Sequence, residues 1–360
     1  MKKILFYMNT IGHGGAERVM VNLSTHFSGK YECVFVTSME IAEEYTLNSS
    51  VKRINLVDSE IGGFLKKNFV LTRKLRRVIK QEKPDIVISF MAEPNFRALT
   101  ACIGRKTKNL ISVRNDPNKE YPSRLHRTLA KTLYRLSDGV VFQTEQAKEW
   151  FPKAVQKKSR IILNQVASSF YAINHTGERH GVVTVGRLTK QKNHRLLIKA
   201  FSDIANEVES NLTIYGEGEL REELQAYVEE LGLQNRVFLP GVINNVGETI
   251  KDSEVFVLSS DYEGMPNALM EALALGIPCI STDCPCGGPN ALIKSGENGI
   301  LIPVGDCDAL SEALKALLLD AQYANKLGVS AKERSMEFSP ERIFACWEEY
   351  ILQLADKKRK

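Results

Sequence analysis

The segment "VFVLSSDYEGMPNALMEALALG", residues 255–276, decides how this chain folds. It opens on a near-continuous apolar run (255–260), bends through "DYEGMP", and continues as a helical pattern that Gly276 ends. An apolar run without alternation marks a strand buried on both faces, hence a parallel sheet with crossover helices. Ligands of such sheets bind beyond the carboxyl ends of the strands, where the "DYEGMP" turn falls. Gly264 reaches backbone angles closed to other residues, and Pro266 suits the first helical turn. The free N–H groups of the helix start form an anion site. Glu263 stands on the turn and Glu271 inside the helix. A bare carboxylate repels a phosphate, so beside such a site these acids suit hydroxyl donors. Taken alone, the pair is better explained as a helix-start acid and a solvated glutamate.

The same strand–turn–helix rhythm runs through the chain. In the front half the strand candidates are "KILFYM" (3–8), "CVFVTS" (33–38), "DIVISF" (85–90), "NLISV" (109–113) and "GVVFQT" (139–144). In the back half they are "GVVTVG" (181–186), "LTIYG" (212–216), "VFLPG" (237–241), "VFVLSS" (255–260), "PCIST" (278–282) and "GILIPV" (299–304). Two doubly wound α/β domains follow, as a length of 360 residues also suggests. The polar, aperiodic stretch 164–180 marks their boundary. It gives a first domain over 1–166, a linker at 167–180 and a second domain over 181–340. The end, 341–360, reads as an amphipathic helix with a basic tail.

Composition bounds the function. Hydrophobic and charged fractions of 43% and 25% are those of an ordinary globular protein. The seven cysteines are odd in number, scattered and without C-x-x-C spacing, which suits reduced thiols in the cytosol. The first apolar run breaks at Asn9, too early for a signal peptide, and no segment approaches the ~18 apolar residues of a membrane span. Residues 1–170 hold 29 Lys/Arg against 15 Asp/Glu, whereas 171–360 hold 19 against 28. Such a split suggests that one half meets an anionic surface or polymer.

Other motifs stand at strand ends. "VGRLTKQKN" (185–193) puts Arg187 and Lys192 five residues apart, suited to a diphosphate, with Arg forking onto oxygens and Lys acting as a point charge. "IYGEGELREEL" (214–224) and "GHGGAE" (12–17) are Gly turns that fail the dinucleotide fingerprint, with Arg221 and Glu17 where the third glycine belongs. Gly14 and Gly15 still allow backbone to approach a phosphate. The D-x-D of "GDCDAL" (305–310) directly precedes a helix, so capping by Asp306 or Asp308 explains it better than a metal does.

In order and spacing, "GGAER" (14–18), "GRLTKQKN" (186–193), "YGEGELREEL" (215–224), "EGMPNALMEA" (263–272) and "GENGILIPVGD" (296–306) together resemble the retaining GT-B glycosyltransferases of family 4. The resemblance implies two Rossmann-like domains facing across a cleft, with a UDP-sugar donor in the second and a terminal helix returning to the first. It implies that Arg187 and Lys192 hold the donor diphosphate, Glu271 the ribose, and Glu263 with residues Gly264, Met265, Pro266 and Asn267 the sugar. Gly14, Gly15, Gly216, Gly218 and Val242 complete the donor site. No cofactor or metal is expected. Where many members carry an acceptor-side histidine this chain has "RNDP" (114–117), so Arg114 or Asn115 would take that role.

Two segments carry the basic excess. In "FLKKNFVLTRKLRRVIKQ" (64–81), Leu71, Leu75, Val78 and Ile79 form one face, and Lys66, Arg73, Arg77 and Lys80 lie opposite. In "SRLHRTLAKTLYRL" (123–136), Leu125, Leu129, Leu133 and Leu136 face Arg124, Arg127, Lys131 and Arg135. Packing of each stripe into the core explains the leucines but not the cations. These suit an anionic bilayer, at about 1 kcal/mol each. The motif order looks most like bacterial transferases that extend polyprenyl-diphosphate-linked saccharides, in which such a helix meets the lipid diphosphate. The resemblance thus implies a lipid-linked glycan acceptor, a cytoplasmic location and peripheral attachment to the inner face of the plasma membrane. Nucleic acid is not expected, because no aromatic residues interleave with the cations. The alternatives are a sugar-nucleotide epimerase of the same fold and a non-catalytic nucleotide-sugar binder.

Overall fold

A computed structural model describes residues 2–12, 14–57, 62–175 and 177–356. His13 of the "GHGGAE" turn and the basic tail at 357–360 lie outside the described residues. The chain divides into two compact units, Met1–Gln165 with Glu341–Lys360, and Val166–Pro340.

The first unit has a seven-stranded sheet. Its strands are β1 Lys3–Met8, β2 Glu32–Thr37, β3 Lys52–Asn55, β4 Ile86–Phe90, β5 Lys108–Ser112, β6 Gly139–Phe142 and β7 Ser159–Ile161. They lie in the order β3-β2-β1-β4-β5-β6-β7, every neighbour parallel. The order reverses between β1 and β4, so this edge is the switch point at which such sheets bind ligands. Leu71, Leu75, Val78 and Ile79 of the helix Phe64–Glu82 pack onto Leu5, Val34 and Val87. β3 ("KRIN") and β7 ("SRI") escape the sequence reading. They are edge strands with no fully buried residue, so the apolar run that reveals an interior strand is missing.

The terminal helix Pro340–Asp356 completes this unit. Trp347 is buried against Phe90, and the Tyr350 hydroxyl accepts the Val140 N–H at 3.2 Å. Gly139 permits the approach, since a Cβ there would stand 2.5 Å from Leu354.

The helix Arg124–Leu133 corrects an expectation. Its leucine stripe is not core: Leu125, Leu129 and Leu136 are exposed, and Ala130 is the buried residue of the helix. The heptad-like spacing is real, but it faces outward.

The second unit has six strands, β8 Val182–Val185, β9 Leu212–Tyr215, β10 Val237–Gly241, β11 Val255–Leu258, β12 Cys279–Thr282 and β13 Ile300–Ile302. They lie in the order β10-β9-β8-β11-β12-β13, again all parallel. Numbered within the unit this is 3-2-1-4-5-6, the order of dinucleotide-binding sheets, with the switch between β8 and β11. Asp306 caps the helix Cys307–Leu319 by accepting the Ala309 N–H at 2.9 Å. The stretch expected to link the domains, 167–180, is instead part of this unit. Phe170 and Ile173 pack on Gly247, and the Tyr171 hydroxyl donates to the Ser335 carbonyl at 2.9 Å.

Candidate active site

At the switch point of the second unit, the loop after β8 and the turn after β11 are knit together. Asn193, in the left-handed conformation (φ 45°), caps the helix His194–Ile204 and donates through Nδ2 to Asp261 at 2.8 Å. Gln191 donates to the Tyr262 carbonyl at 2.9 Å, and the Ser259 hydroxyl donates to the Lys192 carbonyl at 2.9 Å. The Asp261 amide donates to the Gln191 carbonyl at 2.9 Å. Asparagine is one of the few non-glycine residues that enter the left-handed region readily, and these bonds hold it there.

The knit brings two of the expected residues together. Lys192 Nζ lies 2.6 Å from Glu263 Oε1, which also accepts the Ser260 hydroxyl at 2.8 Å. Glu263 is only 7% exposed, so the pair is largely withdrawn from water and its Coulomb attraction is little screened. Behind the turn, Gly288 presses on the Gly264 carbonyl; a Cβ at Gly288 would stand 1.8 Å from that oxygen. Pro266 is the N-cap of the helix Asn267–Ala274, Asn267 its first residue, and Met265 is buried. Glu271 is buried within this helix.

Arg187 is exposed on the loop after β8, as is Lys190 further along the same loop. Gly216 and Gly218 have a packing role: a Cβ at Gly216 would stand 1.9 Å from the Gly186 carbonyl, and one at Gly218 2.4 Å from that of Leu188. They let the loop after β9 lie against the loop that carries Arg187. Val242 is not brought to the pair. It follows β10, separated from β8 by β9, and is exposed.

Several members of the cluster escape the sequence reading. Ser260 ends the quoted strand run and Asp261 opens the quoted turn, and neither carries a motif of its own. His194 follows the quoted loop directly; Asn193 as a helix cap was the available signal for where the loop ends. A cavity of about 610 Å³ lined by His180, Asn211, Phe238 and Glu254 lies toward the amino ends of β8, β9 and β11, away from this chemistry. Among the described residues no three His, Cys, Asp or Glu side chains gather as a metal site.

In the first unit, Gly14 is the N-cap and Gly15 the first residue of the helix Gly15–Ser28 that follows β1. Glu17 folds back over Gly14, where a Cβ would stand 2.1 Å from its carboxylate. Arg114, expected on the acceptor side, is turned inward. Its guanidinium lies 4.4 Å over the Phe90 ring and donates to Asn164, and burial lowers its pKa to about 9. Nearby Glu120 is pushed up to about 8 by burial, against the backbone amides of Arg114, Ala92 and Asn115 that face it. Asn115 is half-buried and accepts the Asp116 amide at 2.9 Å. Lys66, Arg73 and Arg77 are exposed together on the helix Phe64–Glu82, apart from Arg114.

Two Rossmann-like units with a cation–carboxylate pair at a switch point are the setting for transfer chemistry on a nucleotide-linked substrate. Residues 169–334 match the family "Glycosyl transferases group 1" and residues 13–168 match "Glycosyltransferase Family 4". The chain belongs to these family-4 glycosyltransferases and has their GT-B fold. It is 31% identical to an uncharacterized glycosyltransferase of Methanocaldococcus jannaschii, over 74% of this chain and 68% of that one. It is 28% identical, over 98% of this chain and 99% of the other, to a Campylobacter jejuni α-1,4-N-acetyl-D-galactosaminyltransferase. The name of that enzyme gives its acceptor as a GalNAc disaccharide on diNAcBac-PP-undecaprenol. The Anabaena protein HepE in complex with UDP has the same fold, with a TM-score of 0.81 at 17% identity over 98% of this chain and all of that one.

Proposed function

We propose that this glycosyltransferase moves a hexose or N-acetylhexosamine from a UDP-sugar to a polyprenyl-diphosphate-linked glycan, in the synthesis of a bacterial surface polysaccharide or glycoprotein glycan. The observation that carries the reading is the Lys192–Glu263 pair, held with exposed Arg187 beside it at the carboxyl ends of β8 and β11. The UDP complexes of HepE and the lipid-linked acceptor named for the Campylobacter enzyme support the choice of donor and acceptor.

In this reading Arg187 and Lys192 take the two phosphates of the donor and stabilise the charge that builds as the nucleotide departs. Glu263 then exchanges Lys192 for sugar hydroxyls, and Glu271 accepts from the ribose. The helix start at Asn267 adds amide donors. Catalysis is positioning and charge stabilisation: the acceptor hydroxyl attacks on the face the leaving group vacates, so configuration is retained. The second unit is the donor domain, and the first, with the terminal helix, is the acceptor domain. With Arg114 committed to the interior, Asn115 takes the acceptor-side role.

The membrane surface is the remaining partner, and the cytoplasmic leaflet of the plasma membrane its place. No described helix is long and apolar enough to cross a membrane. The helix Phe64–Glu82 instead exposes Lys66, Arg73, Arg77 and Lys80 in one stripe, flanked by Leu65 and Phe69 at 82% and 68% exposure. Beside it, Phe64 meets His126 edge-on at 6.4 Å, adjoining exposed Leu125. Cations around exposed apolar tips suit a peripheral protein at an anionic interface. The test is transfer from a panel of UDP-sugars to a short-chain polyprenyl-diphosphate saccharide. Transfer with one UDP-sugar is expected. Conversion of the free UDP-sugar without acceptor would instead identify an epimerase, and binding without turnover a non-catalytic protein.

A further inference from the structure

His194 is a buried group that the proposed reaction leaves unused. It is the first residue of the helix His194–Ile204 and is 3% exposed. Its Nε2 lies 3.2 Å from the carbonyl oxygen of Arg187, while Nδ1 is buried without a hydrogen-bond partner. A leucine would fill this position without stranding a ring nitrogen, and a stranded polar atom in a native interior calls for an explanation. Burial first, and then Lys192, lower the imidazole pKa to about 4, against the backbone groups of Arg187 and Gly186 that face the ring and raise it. The ring is therefore neutral at pH 7, and its single N–H belongs on the nitrogen that faces a carbonyl, Nε2.

The peptide it holds is the one that carries Arg187. The Arg187 carbonyl also accepts the Thr189 amide at 2.9 Å, which closes a three-residue turn about Leu188. The peptides on either side are gripped by the loop after β9. The Gly186 amide donates to Tyr215 and the Leu188 amide to Glu217, both at 2.9 Å, and the Leu188 carbonyl accepts from Leu220 at 3.0 Å. That grip passes over the Arg187 carbonyl, and the imidazole takes it from the helix side.

We infer that His194 is a positioning residue for Arg187. Its Nε2–H fixes the Arg187 carbonyl, and so the direction in which the guanidinium leaves the loop. The inference rests on the proposal that Arg187 meets the donor diphosphate.

The experiment measures donor KM, kcat and melting temperature for His194→Leu, His194→Gln, His194→Asn, Arg187→Ala and the double variant Arg187→Ala with His194→Leu. His194→Leu is expected to keep its melting temperature and to lose about ten- to a hundredfold in kcat/KM, the scale of a misplaced catalytic group. Gln brings an amide to the place of Nε2 and is expected to restore most of the rate. Asn reaches only the place of Nδ1 and is expected not to, a contrast that survives even where the Leu variant folds poorly. On the Arg187→Ala background, His194→Leu is expected to add no further loss. Wild-type kinetics in His194→Leu, equal rates for Gln and Asn, or a full additional loss in the double variant would each overturn the positioning role. A fully active Arg187→Ala would overturn the donor-site reading beneath it.

Discussion

The two units share a strand order around their switch points and use it differently. In the second unit, the β8 loop and the β11 turn are knit by short polar side chains into one cluster around Lys192 and Glu263. In the first unit, the corresponding edge is tied by a buried arginine. Arg97 donates to Asn9 at 2.5 Å, Asn68 at 2.7 Å and Glu93 at 2.6 Å. Exposed cations of that unit stand away from this edge, among them Lys66, Arg73, Arg77 and Lys80 on the helix Phe64–Glu82 and Arg124 and Arg127 on the helix Arg124–Leu133. Cations and acids at fixed spacing around a turn thus report a built cluster. A count of charges reports only an excess, because Arg97 and Arg114 belong to the basic half and both are interior.

The contrast can be broken first at the ion pair. Lys192→Ala and Glu263→Ala are each expected to lower transfer by about 10²–10³ or more, the scale of losing one preorganised charge contact. Near wild-type rates in either would remove the site assignment. Glu263→Gln sharpens the point. With the competing carboxylate gone, Lys192 is free for phosphate, so free UDP is expected to bind more tightly while transfer falls; calorimetric titration reads the first and an acceptor assay the second.

The next effect falls on stability, in the first unit. Leu75 is fully buried beneath the sheet, and Leu75→Ala is expected to cost about 2–5 kcal/mol. Denaturant unfolding checks the cost. UDP affinity should be unchanged wherever the protein remains folded, and a parallel loss of UDP binding would mean that the units do not divide the labour as described.

The buried titrating groups of the two units should then give opposite pH slopes. Glu120, raised from 4.5 to about 8, contributes stability that is full below pH 4.5 and is lost as pH rises through about 8. His194, lowered from 6.5 to about 4, contributes stability that is full above pH 6.5 and is lost as pH falls through about 4. Melting temperatures across pH 4–9 should therefore flatten on the alkaline side in Glu120→Gln and on the acid side in His194→Gln. An unchanged profile in either variant would contradict the burial argument for that group. The smallest effect is on the surface: reversing Arg73 and Arg77 to Glu should weaken binding to anionic vesicles by about 1 kcal/mol per cation replaced. Unchanged sedimentation with vesicles at low salt would remove the electrostatic contact.

The interior strands were legible because burial on both faces writes an unbroken apolar run, as in "VFVL" of β11. The edge strands β3 and β7 were not, since one open side leaves room for Lys52, Arg53 and Arg160. Glu263 and Lys192 could be named from their spacing around strand ends, but their direct contact could not, because it depends on two loops 71 residues apart. The leucines at 125, 129 and 136 misled for the opposite reason. Periodicity says that residues share a face, not which way the face points. Gly216 and Gly218 read as a Gly turn at a strand end, and their close approach to the carbonyls of Gly186 and Leu188 could not be read from spacing.

The measurement that bears most directly on the central claim is a calorimetric titration of UDP into the wild-type protein, Lys192→Ala and Arg187→Ala. Saturable binding to the wild type that weakens at least tenfold in both variants, about 1.4 kcal/mol each, is the result expected of a donor diphosphate held by these two cations. UDP that fails to bind the folded wild type, or binds all three proteins alike, would contradict it.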